Sequence, residues 1–223
     1  MRSVSSRSAL RAITPISADC VVIVFARAPV AGRVKTRLAP RLGAAGAARL
    51  HMLLVANSLR TAREAQCGPV ELHVTAPHQL FRSLGVKVKR QRGRDLGERM
   101  HGALRNALRR FRTAILIGTD SPALAPTDLR TAVRKLESGA DIVLAPAEDG
   151  GYALIGARRI SLRIFTQVDW GSAQVLAQTL RNAKEARMHY RLLRTLWDVD
   201  RPEDLARLKS RPLSSAARRG ARR

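Results

Sequence analysis

Short apolar runs alternate along this chain with longer stretches in which apolar residues recur at helical spacing. Residues 21–25, 70–75, 86–89, 114–117 and 141–145 are runs rich in Val, Ile, Leu and Ala, and they predict strands. Segments 44–65, 77–83, 96–110 and 127–137 lie between or after them and carry the i, i+3, i+4 pattern of helices. After Gly150-Gly151 come a short strand-like run at 152–155, a helix at 172–187 and a last run at 190–193. A final helix is expected from Pro202, with Glu203 and Asp204 in its first turn. Strands alternating with helices imply βαβ units. Apolar runs without internal polar alternation imply strands covered on both faces. The fold class expected is therefore α/β: one three-layer α/β/α domain around a mainly parallel, twisted sheet.

The chain has 223 residues, 45% of them hydrophobic, which suits one globular domain with a full core. Residues 19–208 are expected to form it. Residues 1–18 hold Arg2, Arg7 and Arg11 without an acid, and they lack the apolar core of a secretory signal. They read as a flexible basic extension, with a transit peptide as the alternative. Residues 209–223, made of Pro, Ser, Gly and Arg without periodicity, read as a disordered basic tail. No apolar run approaches the roughly 18 residues of a membrane span. Cys20 and Cys67 show no CxxC spacing and suit reduced thiols of a cytoplasmic protein. The five histidines show no zinc-binding spacing. The net charge of +24 would suit a nucleic-acid binder. Aromatic residues make up only 4%, however, and nowhere interleave with basic ones as in single-strand binders. Nucleic acid is thus not expected as the main partner.

Candidate chemistry begins where the first strand ends. Residues 25–38, FARAPVAGRVKTRL, form a loop punctuated by Pro29 and Gly32 that carries four cations and no acid. A loop following the first strand faces the carboxyl edge of the sheet, where open α/β sheets bind ligands. Arginine forks and a mobile lysine charge suit phosphate oxygens. The loop matches neither Gly-x4-Gly-Lys-Ser/Thr nor Gly-x-Gly-x-x-Gly, which argues against a P-loop NTPase and a classical dinucleotide-binding enzyme. Residues 91–100 add a second Gly-punctuated, basic stretch opening a helix, with Gly93 and Arg99.

Acids are scarce, so those at strand ends stand out. Asp120 follows the strand 114–117 at once, in a place where a carboxylate could hold a divalent cation together with substrate phosphates. It could equally cap the Ser-Pro turn after it. Asp149 follows the strand 141–145 and precedes Gly150, Gly151 and Tyr152. It suits a general base, or a plain Asp-Gly hairpin turn. Asp198 and Asp200 alternate on an extended stretch and so face one side, where they could complete a metal site. Helix capping explains Asp200 equally well.

Together these motifs resemble the nucleotide-diphospho-sugar transferase superfamily of GT-A fold, and within it the small bacterial glycosyltransferases of the arsenosugar-biosynthesis type. The resemblance rests on FARAPVAGRVKTRL (25–38), DLGERM (95–100), LIGTDSPAL (116–124), PAEDGGYALIG (146–156), Trp170-Gly171 and DVDRPEDL (198–205), and covers about residues 20–208. It implies a nucleotide-sugar donor and a divalent metal, Mg²⁺ or Mn²⁺. Carried over by position, Arg27, Gly32, Lys35 and Arg37 would line the donor phosphates, with Gly93 and Arg99 nearby. Asp120 would hold the metal with Asp200. Asp149 would be the acid of the Asp-Gly-Gly motif, and Gly150, Gly151 and Tyr152 would border the acceptor. Ala153 stands where a second aromatic is frequent in relatives, and Asn57 where an acid is frequent. The function expected is transfer of a sugar from a nucleotide diphosphate to a small acceptor. The alternatives are nucleotidyl transfer from a nucleoside triphosphate to a phosphorylated small molecule, and non-catalytic nucleic-acid binding on a transferase scaffold.

Overall fold

The computed structural model describes residues 19–210. Its first strand, β1 (Cys20–Ala26), is buried at every position, as a continuous Val/Ile run covered on both faces requires. It pairs in parallel with β2 (Val70–Val74) on one side and β4 (Thr113–Ile117) on the other. Beyond β2 lies the parallel edge strand β3 (Lys87–Arg90), whose exposed cations discourage pairing with another chain. On the other half, β6 (Tyr152–Ala157) runs antiparallel between β4 and β5 (Ile142–Pro146), and β7 (Tyr190–Leu192) closes the sheet beside β5. The order is β3-β2-β1-β4-β6-β5-β7. The sheet is mainly parallel as expected, and β6 alone reverses because residues 147–151 join β5 to it as a hairpin.

Alternate residues of β1 feed two cores. Val22 and Val24 face α1 (Ala39–Ala65), α3 (Pro126–Glu137) and α5 (Asp204–Ser210). Val21, Ile23 and Phe25 face α2 (Leu96–Leu108) and α4 (Val175–Glu185). Helix starts follow their side chains: Asp95 accepts from Glu98 N at 2.8 Å, and Asp128 from Ala125 N at 2.8 Å.

Several boundaries differ from expectation for local reasons. α1 starts at Ala39, but Gly43 (φ 70°) breaks its helical geometry, so the apolar periodicity begins only after it. The stretch predicted as a helix at 77–83 is a 3-10 segment, Gln79–Leu84, stopped by Gly85 in the left-handed region. Two further 3-10 segments, Thr36–Leu38 and Leu162–Phe165, were not expected. α5 starts at Asp204 rather than Pro202, since the Asp204 carboxylate accepts from the backbone N–H of Asp200 and Arg201. It runs to Ser210, past the boundary expected at 208. The extension 1–18, and residues 211–223 of the tail, lie outside the described residues. Among the described residues no helix is long and apolar enough to cross a membrane.

Beside the β2–β3 edge, a buried carboxylate gathers three cationic or donor groups. Glu71 is bound by Lys89 Nζ at 2.7 Å, His73 Nε2 at 3.0 Å and Arg110 at 3.2 Å. Burial pushes its pKa up, but the hydrogen bonds from Lys89 and His73 and the neighbouring charges outweigh this and hold it at about 2, against an ordinary 4.5. A carboxylate with a depressed folded-state pKa stabilises the fold above its unfolded pKa and loses that contribution as pH falls through the folded value. Stability is therefore expected to drop between pH 4.5 and 2 more steeply in the wild type than in Glu71→Gln. Urea titrations of both at several pH values check this, and parallel curves would contradict it.

Candidate functional site

The carboxyl ends of β1, β4 and β5 open on one edge of the sheet, into a cleft of 740 Å³. Residues 27–38 leave β1 along this cleft. Lys35 sits there in the left-handed region (φ 49°, ψ 40°), an uncommon conformation for a residue with a Cβ. Its side chain is 4% exposed, and Nζ lies 2.7 Å from Asp120 Oδ1 and 2.5 Å from the Val199 carbonyl. Arg27 is anchored through its carbonyl, which accepts from His51 Nε2 at 3.0 Å. Burial keeps the His51 pKa below its ordinary value, so the ring serves as a neutral donor.

Asp120 follows β4, and a distant segment is laid beside it. Val199 N donates to Asp120 O at 2.8 Å, and Ser121 Oγ to Trp197 O at 2.7 Å. Val199 is fully buried, so the alternation of an extended chain turns Asp198 and Asp200 to the cleft. Asp200 is paired with Arg37.

Asp149 lies in the hairpin turn between β5 and β6. Its Oδ1 accepts from Gly151 N at 2.8 Å, while Ala147 O accepts from Gly150 N at 3.1 Å. The carboxylate thus shapes the turn and also borders the cleft. Gly150 has φ 86°, and a Cβ there would stand 2.1 Å from the Ala173 carbonyl, so no other residue fits. Glu148 is held outward by Arg207 at 2.6 and 3.1 Å, and Arg207 also stacks on Trp197, 4.8 Å from its ring centre. The turn bearing Asp149 and the segment bearing Asp198 are in this way tied to α5.

Four cations, Arg27, Lys35, Arg37 and Arg99, face four carboxylates, Asp120, Asp149, Asp198 and Asp200. Asp198 registers the crowding. Burial pushes its pKa up, Asp149, Asp120 and Asp200 push it further, and Lys35 opposes them, leaving it at about 6. An excess of oxygen donors around one ammonium suits a hard divalent cation. Among the described residues, no group of three His, Cys, Asp or Glu is close enough to hold an ion alone. A cation bound here would thus complete its shell with substrate phosphates and water.

Of the residues singled out in the sequence, Arg27, Lys35, Arg37, Arg99, Asp120, Asp149, Gly151, Tyr152 and Asp200 all line the cleft. Gly32, Gly93 and Gly150 do not. Gly32 is an exposed turn (φ 76°), Gly93 lies against the backbone of Glu98 and Arg99, and Gly150 packs on Ala173. The Tyr152 hydroxyl is buried, and burial pushes its pKa up. The sequence reading missed His51, whose place on the inner face of α1 looks like any core position. It also passed over Thr75 and Gln91, which tie the ends of β1 and β2 together: Thr75 Oγ1 accepts from Ala28 N at 3.0 Å, and Gln91 Nε2 donates to Ala26 O at 3.3 Å and His73 O at 2.9 Å.

Residues 54–172, more than half of the chain, match the family described as uncharacterized protein conserved in bacteria, DUF2064. The chain belongs to the DUF2064 family. No curated protein matches it in sequence. Among solved structures, a proposed nucleotide-diphospho-sugar transferase from Desulfovibrio desulfuricans G20 is similar at 29% identity, with 91% of each chain covered and a TM-score of 0.81. CMP:2-keto-3-deoxy-manno-octonic acid synthetase, solved with CTP, is similar at 13% identity over 86% of this chain and 97% of that one, with a TM-score of 0.56. A cytidylyltransferase from Leptospira borgpetersenii serovar Hardjo-bovis is also 13% identical, over 87% and 86%, with a TM-score of 0.55. The last two share the fold alone. This member of DUF2064 has the nucleotide-diphospho-sugar transferase fold, and the neighbours with a named activity include a proposed nucleotide-diphospho-sugar transferase and nucleotidyltransferases.

Proposed function

We propose that this DUF2064 protein is a metal-dependent glycosyltransferase that moves a sugar from a nucleotide-diphosphate donor to a small acceptor. The observation that supports it is the division of charge in the cleft. Every cation comes from the loop after β1 or from α2, whereas the β5–β6 turn and residues 197–200 bring only carboxylates. Donor phosphates fit the first group: Arg27, Lys35 and Arg37 would hold the diphosphate and stabilise its charge as it leaves with the electron pair of the anomeric C–O bond. Asp149 would take the proton of the acceptor hydroxyl as its oxygen forms the new bond. Mg²⁺ or Mn²⁺, held by Asp120 with Asp198 or Asp200, would neutralise phosphate charge when bound. The buried free thiols of Cys20 and Cys67 agree with a place in the cytoplasm.

Nucleotidyl transfer from a nucleoside triphosphate to a phosphorylated small molecule is the second reading; it is supported by two structural neighbours named as a CMP-sugar-acid synthetase and a cytidylyltransferase. It would bring a second phosphate against Asp149 and Asp198, whose neighbouring cation, Lys35, is already paired with Asp120. Incubation with labelled nucleotide sugars and nucleoside triphosphates separates the two, because sugar transfer releases a nucleoside diphosphate and nucleotidyl transfer releases pyrophosphate. Asp120→Asn should abolish the metal dependence of donor binding and, because it leaves the buried Lys35 ammonium without its carboxylate, should also lower the melting temperature. Donor binding unaffected by a chelator would overturn the metal assignment.

A further inference from the structure

The cleft has a second character besides its charges. Phe25, Met100, Leu116, Ile155, Tyr152 and Trp170 belong to the core on the α2/α4 face and also line the cleft. Leu96, the first residue of α2, stands at the same place with 42% of its surface exposed. Trp170 is fixed there by its neighbours, its ring centre 6.3 Å from that of Phe165 and its edge against Gly97. The cleft thus has an apolar side, the chamber, bordered by the start of α2 and the segment before α4.

We infer that this chamber receives the apolar body of the acceptor, and that the acceptor is an uncharged alcohol or phenol. The inference rests on the transferase reading and names its second substrate. Two facts carry it. The first is continuity, since Tyr152 and Gly151 of the chamber wall adjoin Asp149, which would meet the acceptor hydroxyl. The second is charge. The four cations of the cleft are balanced by its four carboxylates, and Lys35 and Arg37 are already paired with Asp120 and Asp200. A phosphorylated or carboxylated acceptor would bring a further anion to Asp149 and Asp198, where the cation that reaches Asp198, Lys35, is already paired with Asp120. A neutral polar acceptor would leave Leu96 and Trp170 facing water or unpaired hydroxyls. A hydroxyl on a flat or aliphatic apolar body satisfies both halves.

The test uses three probes that separate body from charge: 4-methylumbelliferone, 4-methylumbelliferyl phosphate and glycerol. Saturation-transfer NMR is recorded on the full chain with Mg²⁺ and whichever of UDP, GDP, CDP or ADP raises its melting temperature, at a pH where the phenol is uncharged. The expected result is saturation of umbelliferone alone. Leu96→Gln, at an exposed position, should weaken that binding about fivefold through lost apolar contact. Equal or stronger binding of the phosphate or of glycerol would overturn the inference, as would umbelliferone binding that Leu96→Gln does not change. If a nucleoside diphosphate stabilises the protein but umbelliferone does not bind, only the acceptor class falls. If no nucleotide stabilises it, the transferase reading falls and the acceptor assignment with it.

Discussion

Asp149→Asn is expected to lower turnover by about 10²–10⁴, the usual contribution of a positioned general base. The substitution is unusually clean here. The amide oxygen of Asn can still accept from Gly151 N, as Oδ1 of Asp149 does at 2.8 Å, so the β5–β6 turn should keep its shape. Donor affinity should barely change, because the cations proposed to hold the diphosphate come from the loop after β1, not from the turn. Three roles predict three patterns. A base loses turnover alone, a metal ligand loses donor affinity with turnover, and a turn residue loses stability alone. Measuring nucleotide-sugar affinity, turnover and melting temperature on this one variant separates them. Unchanged turnover would remove Asp149 from the chemistry.

The parts of this site legible in the sequence are those fixed by strand periodicity. An apolar run buried on both faces implies a parallel strand, and a parallel strand fixes which end of it meets ligand. That reasoning places Lys35, Arg37, Asp120 and Asp149 on one edge, and all four line the cleft. The same alternation that turns Asp198 and Asp200 to one side cannot say which of them Arg37 will hold, because that pairing joins residues 163 positions apart. Glycines were the least legible. Gly150 reads as room for a ligand, yet the room is filled by the Ala173 carbonyl, a contact made only once the segment before α4 folds back over the hairpin. His51 lies on an apolar helical face with nothing in its spacing to distinguish it, and only the path of the β1 loop brings the Arg27 carbonyl to its ring. The chamber was illegible for the same reason, since Phe25, Met100, Leu116 and Ile155 look like ordinary core until the fold brings them to the cleft as well.

Lys35→Met should move two affinities in opposite directions. The methionine preserves most of the volume of a side chain that is only 4% exposed, so packing is largely retained while the charge is removed. Nucleotide-diphosphate binding should weaken about 10–100-fold, since a hydrogen bond to a charged group contributes roughly 1.5–3 kcal/mol and about 1.4 kcal/mol is a factor of ten. Metal binding without nucleotide should strengthen instead. The ammonium 2.7 Å from Asp120 competes with any cation for that carboxylate, and removing it leaves Asp120 beside Asp198 and Asp200 with more uncompensated negative charge. Lys35→Arg should not restore nucleotide affinity, because a planar guanidinium does not fit the enclosed space of one ammonium held between Asp120 and the Val199 carbonyl. Calorimetric titration of Mn²⁺ alone, and then of nucleoside diphosphate with saturating Mn²⁺, measures both effects on one preparation. Parallel loss of the two affinities would make Lys35 a structural strut, and no change in either would place the phosphate site elsewhere.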